Sequence, residues 1–413
     1  MLASSVYSGY PAGMDFGTEI RRKAAELAAK AVARRRHMHQ NPELSFQEQR
    51  TSAWIMSQLQ EMGIPAQPGI GGNGIRAVIH GEKPGPVIAL RADFDALPIT
   101  ELNEIPFKSC NPGVMHACGH DAHTAILLTA GEILWSLRRD LGGTVVLIFQ
   151  PGEEKTPGGA QGMIAQGVLE NPDVQRILGE HINPSLEAGT VGFRPGLMMA
   201  SADELYLTVK GRGGHAASPH MVVDPISIAS QIIVGLQQVV SRNANPEIPS
   251  VLSFGRILGD GAMNVIPDQV VIAGTFRTVD ETWRADALER IQTMAVQTAR
   301  AMGADCEVHI DHGYPVVHND EALTRRARAA AEEYLGPEHV VDLPLVMWAE
   351  DFAYFGRRVP GCFYNLGVAN TQKGWNSPLH SPTLMIDERA LETGAGLMAF
   401  LAVQELRDAH ESQ

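Results

Sequence analysis

Between residues 75 and 149 the chain alternates three short apolar runs, at 75–79, 87–90 and 145–149, with a helix-length segment at 122–137. That alternation is the rhythm of an α/β sheet, and it restricts the first 200 residues to one layered structure. Upstream, a helix is expected from Thr18, as its N-cap, to about His39, where Asn41-Pro42 stops it. A second helix is expected over 47–62, ended by Gly63. Residues 1–17 lack periodicity and read as a loose arm. Arg34-Arg35-Arg36 reads as the basic last turn of the first helix, favourably placed on its dipole.

From about residue 202 the rhythm changes. An alternating run at 204–209, a helix-like stretch at 225–240, strand-like runs at 250–257 and 270–276, a helical stretch at 281–302 and a last strand at 306–310 describe a compact α+β unit. After Tyr314-Pro315 the chain returns to helices and to an apolar strand at 362–366. The middle unit therefore reads as an insertion, with one domain over 18–201 and 314–413 and a second over 202–313. A length of 413 residues accommodates both.

Charge excludes whole classes of partner. Lysine plus arginine number 33 against 47 acidic residues, and 33 − 47 = −14, a field that repels nucleic acid and anionic lipid. No apolar run approaches the roughly 20 residues that span a bilayer. The first 20 residues lack the basic start and apolar stretch of a secretory signal, so a cytoplasmic home is expected. Four cysteines, Cys110, Cys118, Cys306 and Cys362, are too scattered for a disulfide framework.

The densest chemistry is Met115-His116-Ala117-Cys118-Gly119-His120-Asp121-Ala122-His123, with three histidines, a cysteine and an aspartate inside eight positions. Thiolate and imidazole suit zinc, manganese, cobalt or nickel, and residues at i and i+2 in a loop can converge on one ion. The bland alternative is a polar loop capped at Asp121. Gln150-Pro151-Gly152-Glu153-Glu154 follows the apolar run 144–149, and the carboxyl ends of strands are where an α/β sheet presents its ligands. One of these acids can bind a metal while its neighbour acts as general base. His181 and His380 draw weight only from this company. Gly211-Arg212-Gly213-Gly214-His215-Ala216 fits a dinucleotide fingerprint loosely, but no acid ends a following strand, and no P-loop or nucleophile elbow occurs.

These segments, together with Arg36 to Leu44, Arg91 to Pro98, Gly213 to His220, Asn264-Val265-Ile266-Pro267, Glu350 to Tyr354 and Pro378 to Pro382, resemble the metal-dependent amidohydrolases of the M20 peptidase class. The resemblance is to the branch of hippurate hydrolases, N-acyl-amino-acid amidohydrolases and auxin-conjugate hydrolases. It implies a zinc-peptidase-like catalytic domain, a mixed sheet flanked by helices, interrupted by a smaller α+β lid that also dimerises. It also implies two divalent ions (Zn, Mn, Co or Ni) held by Cys118, His120, Glu154, His181 and His380, with Cys118 as the bridge. Glu153 takes the place of the catalytic glutamate, and Asp95 that of a residue orienting a ligand from behind. His215, Asn264 and Arg277 match lid residues that contact substrate, and in relatives with a dimerising lid the matching histidine reaches the other subunit's site. The implied reaction is hydrolysis of an N-acyl amino acid, a small-molecule substrate. The alternatives are a dipeptidase, a deacylase of a biosynthetic intermediate, and a catalytically silent metal-binding scaffold. Two departures from the family pattern, Lys155-Thr156-Pro157 before Gly158-Gly159 and Trp348 before Ala349-Glu350-Asp351, bear on the substrate mouth.

Overall fold

The computed structural model of the protein describes residues 15–408. Two compact units are present: residues 15–196, 318–344 and 351–408 make the first, and residues 197–317 with 345–350 make the second.

The first unit is built on a mixed sheet. Its strands β1 (Ala66–Ile70), β2 (Gly74–His80), β3 (Lys83–Asp93), β4 (Gly142–Gln150), β5 (Arg176–Glu187) and β6 (Val191–Phe193) join Val340–Asp342 and Gly361–Ala369 in the order β1, β2, β4, β3, β5, 361–369, β6, 340–342. The central four, β4, β3, β5 and 361–369, run parallel. Strands covered on both faces must be apolar nearly throughout, and eight of the nine residues of β4 are buried. Helices α1 (Phe16–Gln40) and α3 (His120–Leu137) pack with Ala390–Asp408 on one face. Their Ile20, Met38, Ile126, Leu134 and Phe400 share a core with Leu90, Leu147 and Leu178 of the sheet. Each such side chain contributes about 1.5–3 kcal/mol by leaving water. Helix α2 (Gln49–Met62) ends at Gly63 in the left-handed conformation, and α4 (Gly159–Ala165) follows the turn after β4.

Two expectations at the N-terminus need correction. Helix α1 starts at Phe16, because Asp15, not Thr18, caps it: the Asp15 side chain accepts the Thr18 N–H at 3.3 Å. Phe16 and Gly17 are buried in the helix, while residues 1–14 of the expected arm lie outside the described residues. The arginine triplet is not the last turn either. Helix α1 runs on to Gln40, and its close packing on α3 buries Arg34 and Arg35, which pair with Glu132 at 2.6 Å and Asp121 at 2.7 Å. Only Arg36, paired with Glu388, is exposed.

The second unit is a four-stranded antiparallel sheet in the order Ser250–Leu258, Gln269–Thr278, Ser201–Lys210, Asp305–His312. Alternation along Ser201–Lys210 buries Leu205, Leu207 and Val209 and exposes Glu204, Tyr206 and Lys210, so one face needs a cover. Helices α5 (Pro225–Gln238) and α6 (Glu281–Ala301) supply it with Ile228, Ile232, Leu236, Leu288 and Ile291. Both are capped by aspartate, Asp224 and Asp280, and α5 carries proline in its first turn. One buried ion pair stands beside this core. Asp203 takes both Nε and Nη2 of Arg284, at 2.8 and 2.7 Å, and also the Gly313 N–H at 3.3 Å. Removing one partner of such a pair strands the other charge, so Asp203→Ala should destabilise this unit by about 3–5 kcal/mol in urea unfolding. A loss under about 1 kcal/mol, the range of exposed pairs, would show that water reaches the guanidinium after all.

Candidate active site

Two loops meet at the carboxyl ends of the parallel strands. The first carries Cys118 and His120 on either side of Gly119, which is the N-cap of α3 and has φ 87°. A Cβ at Gly119 would lie 2.2 Å from Cδ1 of Ile182 on β5, so both backbone conformation and packing require glycine. Helix α3 therefore begins at His120, two residues earlier than expected, and Asp121 is no cap: it is buried between Arg35 and His39. The second loop follows β4 and carries Glu153 and Glu154.

These loops bring ligand-type atoms together. Cys118, His120 and His181 offer donor atoms within 4.8 Å of one another, as do Cys118, Glu154 and His380, and His120, Glu153 and Glu154. All but His380 are at least nine-tenths shielded from solvent, and His380, at φ 62°, reaches Glu154 Oε1 at 3.3 Å. Two of the imidazoles are turned by the bond the far nitrogen makes. His181 Nδ1 donates to Ile182 O at 2.8 Å, which leaves the Nε2 lone pair facing Cys118 Sγ at 3.4 Å. His120 Nδ1 pairs with Asp95 Oδ1 at 3.1 Å, and its Nε2 is buried without a hydrogen-bond partner, as is Glu154 Oε1. Tying one ring nitrogen to a carboxylate or carbonyl is how proteins aim the other at a metal.

The electrostatics also lack a cation. Burial, with the carboxylates of Glu154 and Glu153 beside it, holds the Cys118 thiol well above its usual range. Burial opposes a charged His120, yet Asp93 and Asp95 outweigh it and lift the imidazole to about 10. Burial and neighbouring His123 keep His181 neutral. An orphaned nitrogen on His120, an orphaned oxygen on Glu154 and a shielded thiol are the donor set a divalent ion would satisfy, so these residues fit such a group.

The other two histidines of the cluster do different things. His123 has both nitrogens occupied, Nδ1 by Asp93 at 2.6 Å and Nε2 by the Ile182 N–H at 2.9 Å. His116 is fully buried, neither nitrogen has a partner, and burial pulls it down to about 4, so it is neutral.

Sequence reasoning missed what lies beneath. Arg91, fully buried, donates to Gln150 Oε1 at 2.8 Å, Asp93 Oδ2 at 2.7 Å and Asp351 Oδ1 at 2.9 Å. Asp351 in turn accepts the Ala160 N–H at 3.0 Å. Asp95 does more than expected, since its Oδ2 accepts the Glu154 N–H at 2.9 Å and the Ser45 hydroxyl at 2.7 Å. Arg91 and Asp351 both lie in segments that resemble the family, which is the one signal the sequence carries for them.

In the second unit His215 and Asn264 come together across the short antiparallel pair Gly214–His215 and Val265–Ile266, where the Ala216 N–H bonds Asn264 O at 3.0 Å. His215 is exposed and its Nδ1 accepts the Ala217 N–H at 3.0 Å. One ring nitrogen thus caps the local turn, which places the ring proton on the other. Arg277, half-buried, spends one donor on Met347 O at 3.0 Å.

Comparison with known proteins adds the family. The model of peptidase family M20/M25/M40 matches residues 89–404. N-acetyl-L-cysteine deacetylase of Bacillus subtilis (strain 168) is 41% identical over 385 residues, covering 93% of this chain and 90% of its own. N-acyl-L-amino acid amidohydrolase of Geobacillus stearothermophilus is 41% identical over 324 residues, 77% of this chain and 87% of its own. Among solved structures, the Bacillus subtilis YXEP protein, described as a dinuclear metal binding peptidase from the M20 family, superposes with a TM-score of 0.79 at 36% identity over 93% of this chain and 99% of that one.

Proposed function

The chain belongs to peptidase family M20/M25/M40, and from that premise we propose that it is a metal-dependent amidohydrolase cleaving N-acyl amino acids to a carboxylic acid and a free amino acid. The observation that carries this reading is the gathering of ligand-type atoms at one place: Glu154 stands with Cys118 and His380, and both Glu153 and Glu154 stand with His120.

Cys118, His120, Glu154, His181 and His380 would hold two divalent ions, Zn, Mn, Co or Ni. Ions bound there supply Lewis acidity, which makes water acidic near neutral pH and polarises the amide carbonyl. Glu153 takes the proton of the attacking water on a carboxylate oxygen and returns it to the nitrogen of the departing amine. Asp95 fixes the His120 tautomer through Nδ1. His215, with its proton on Nε2, is a donor suited to the developing oxyanion. Arg277 retains donors for the substrate carboxylate, which a guanidinium grips with two bonds, and Asn264 completes the contact.

Residues 202–313 act as the lid in this reading, between catalytic segments 18–201 and 314–413, and pair with a second copy of the chain. Support comes from the edge strand Ser250–Leu258 with exposed Ile257 and Leu258, and from exposed Val234 on α5. A cytoplasmic enzyme agrees with four free cysteines, and no helix among the described residues is long and apolar enough to cross a membrane.

The test is a panel of hippurate, N-acetyl amino acids, indoleacetyl conjugates and dipeptides, offered with manganese, zinc, cobalt or nickel. Release of the free amino acid from at least one acyl conjugate is expected. Turnover of dipeptides alone would replace the proposed substrate class, and none at all would leave only a metal-binding scaffold.

A further inference from the structure

The turn that carries Glu153 is gripped from a part of the chain about a hundred residues away. Gly152 donates its N–H to Oε1 of Glu48 at 2.9 Å, and Glu154 donates its N–H to Oδ2 of Asp95 at 2.9 Å. The amides on both sides of Glu153 are thus held by buried carboxylates. Glu48 is fully buried at the start of α2, and its other bonds come from neutral amides: Phe46 N–H reaches Oε1 at 2.8 Å and Asn73 Nδ2 reaches Oε2 at 2.9 Å. Burial lifts its carboxyl to about 7, with the charge of Asp95 adding to the shift, so the fold carries a cost at this position.

The surrounding segment is shaped around the same turn. Phe46 has φ 66°, a left-handed conformation that a residue with a Cβ adopts only under constraint. Its ring lies so close to Gly152, itself at φ 65°, that a Cβ there would stand 2.4 Å from the ring Cε1. Ser45 meanwhile bonds the second clamp, Asp95. A strained residue, a buried acid and a hydroxyl in four consecutive positions all serve one three-residue turn.

We propose that Glu48 is a positioning residue for Glu153: by fixing the Gly152 amide, with the Phe46 ring pressed on the same glycine, it sets the direction in which the Glu153 carboxylate faces the substrate. This rests on the reading of Glu153 as the general base. Glu48 bonds none of the five residues assigned to the metals, so it acts on the proton-transfer step and not on metal loading. A displacement of about 1 Å at a reacting group can cost about 10²-fold in rate.

A double-mutant cycle tests this. Glu48→Ala should lower kcat by about 10- to 100-fold with KM and metal content unchanged, and Glu48→Gln, whose carbonyl can still accept both N–H groups, should recover most of the loss. In the Glu153→Gln background the same Glu48→Ala change should cost almost nothing further, because its only target is gone. Equal fold losses in the two backgrounds, or loss of metal from Glu48→Ala, would overturn the proposal. If Glu48→Ala does not fold, Glu48→Asp carries the test, since one methylene less withdraws the acceptor from Gly152, and wild-type kcat in that variant would also overturn it. An undiminished rate in Glu153→Gln alone would instead refute the general-base reading.

Discussion

Glu153→Gln is expected to lower turnover by about 10²–10⁴-fold, the usual contribution of a positioned general base, while bound metal stays at the wild-type level. Glutamine keeps the shape and the hydrogen-bonding carbonyl but cannot take a proton from water. Its neighbour should behave differently. Glu154 Oε1 is buried without a hydrogen-bond partner beside His380 and His120, so Glu154→Gln replaces an anionic ligand with a weaker neutral one and should lower metal content first and rate as a consequence. Elemental analysis alongside steady-state kinetics separates the two, and an exchange of these outcomes between the variants would reverse the assignment.

Stripping the metals should abolish hydrolysis and soften the first unit. Without an ion the cluster keeps His120 Nε2 and Glu154 Oε1 unsatisfied in a buried site and leaves the Cys118 thiol protonated. A ligand that binds only the folded state stabilises it by about 4.1 kcal/mol at a thousandfold excess over Kd. Re-adding a divalent ion to chelated protein should therefore restore activity and raise the melting temperature together. Cys118→Ser should blunt both responses, whereas Cys110→Ser, on an exposed loop, should alter neither. Full activity in a preparation shown by elemental analysis to be free of metal would end the two-metal hypothesis.

Features written locally were legible in the sequence. The parallel strands announced themselves because both faces are buried, so β4 is an apolar run, and Cys118 and His120 stood out because one glycine turn joins them. Edge strand β1, with sequence AQPGI, gave no signal: it is half solvated and pairs on one side only. The start of α3 shifted where tertiary contacts took over a polar residue, as Asp121 was claimed by Arg35 and His39, and the start of α1 shifted because a nearer aspartate, Asp15, supplies the cap. Supporting groups were hidden by distance along the chain. Arg91 meets Asp351 across 260 positions and Glu48 meets Gly152 across 104, and no periodicity relates such pairs.

The pattern of attachment around the turn that carries Glu153 bears on how this enzyme could diversify. Gly152 and Glu154 are pinned on one side and Ala160 on the other, while the stretch between closes on itself, Gly158 N–H bonding Lys155 O at 2.9 Å. A loop fastened at both ends and folded inward can change length and composition without transmitting the change to its anchors. Residues 155–158, where this chain departs from the common family pattern, are such an insulated segment. Under the proposed reading of Glu153, insertions or substitutions within 155–158 should then leave the Gly152 and Glu154 anchors where they are.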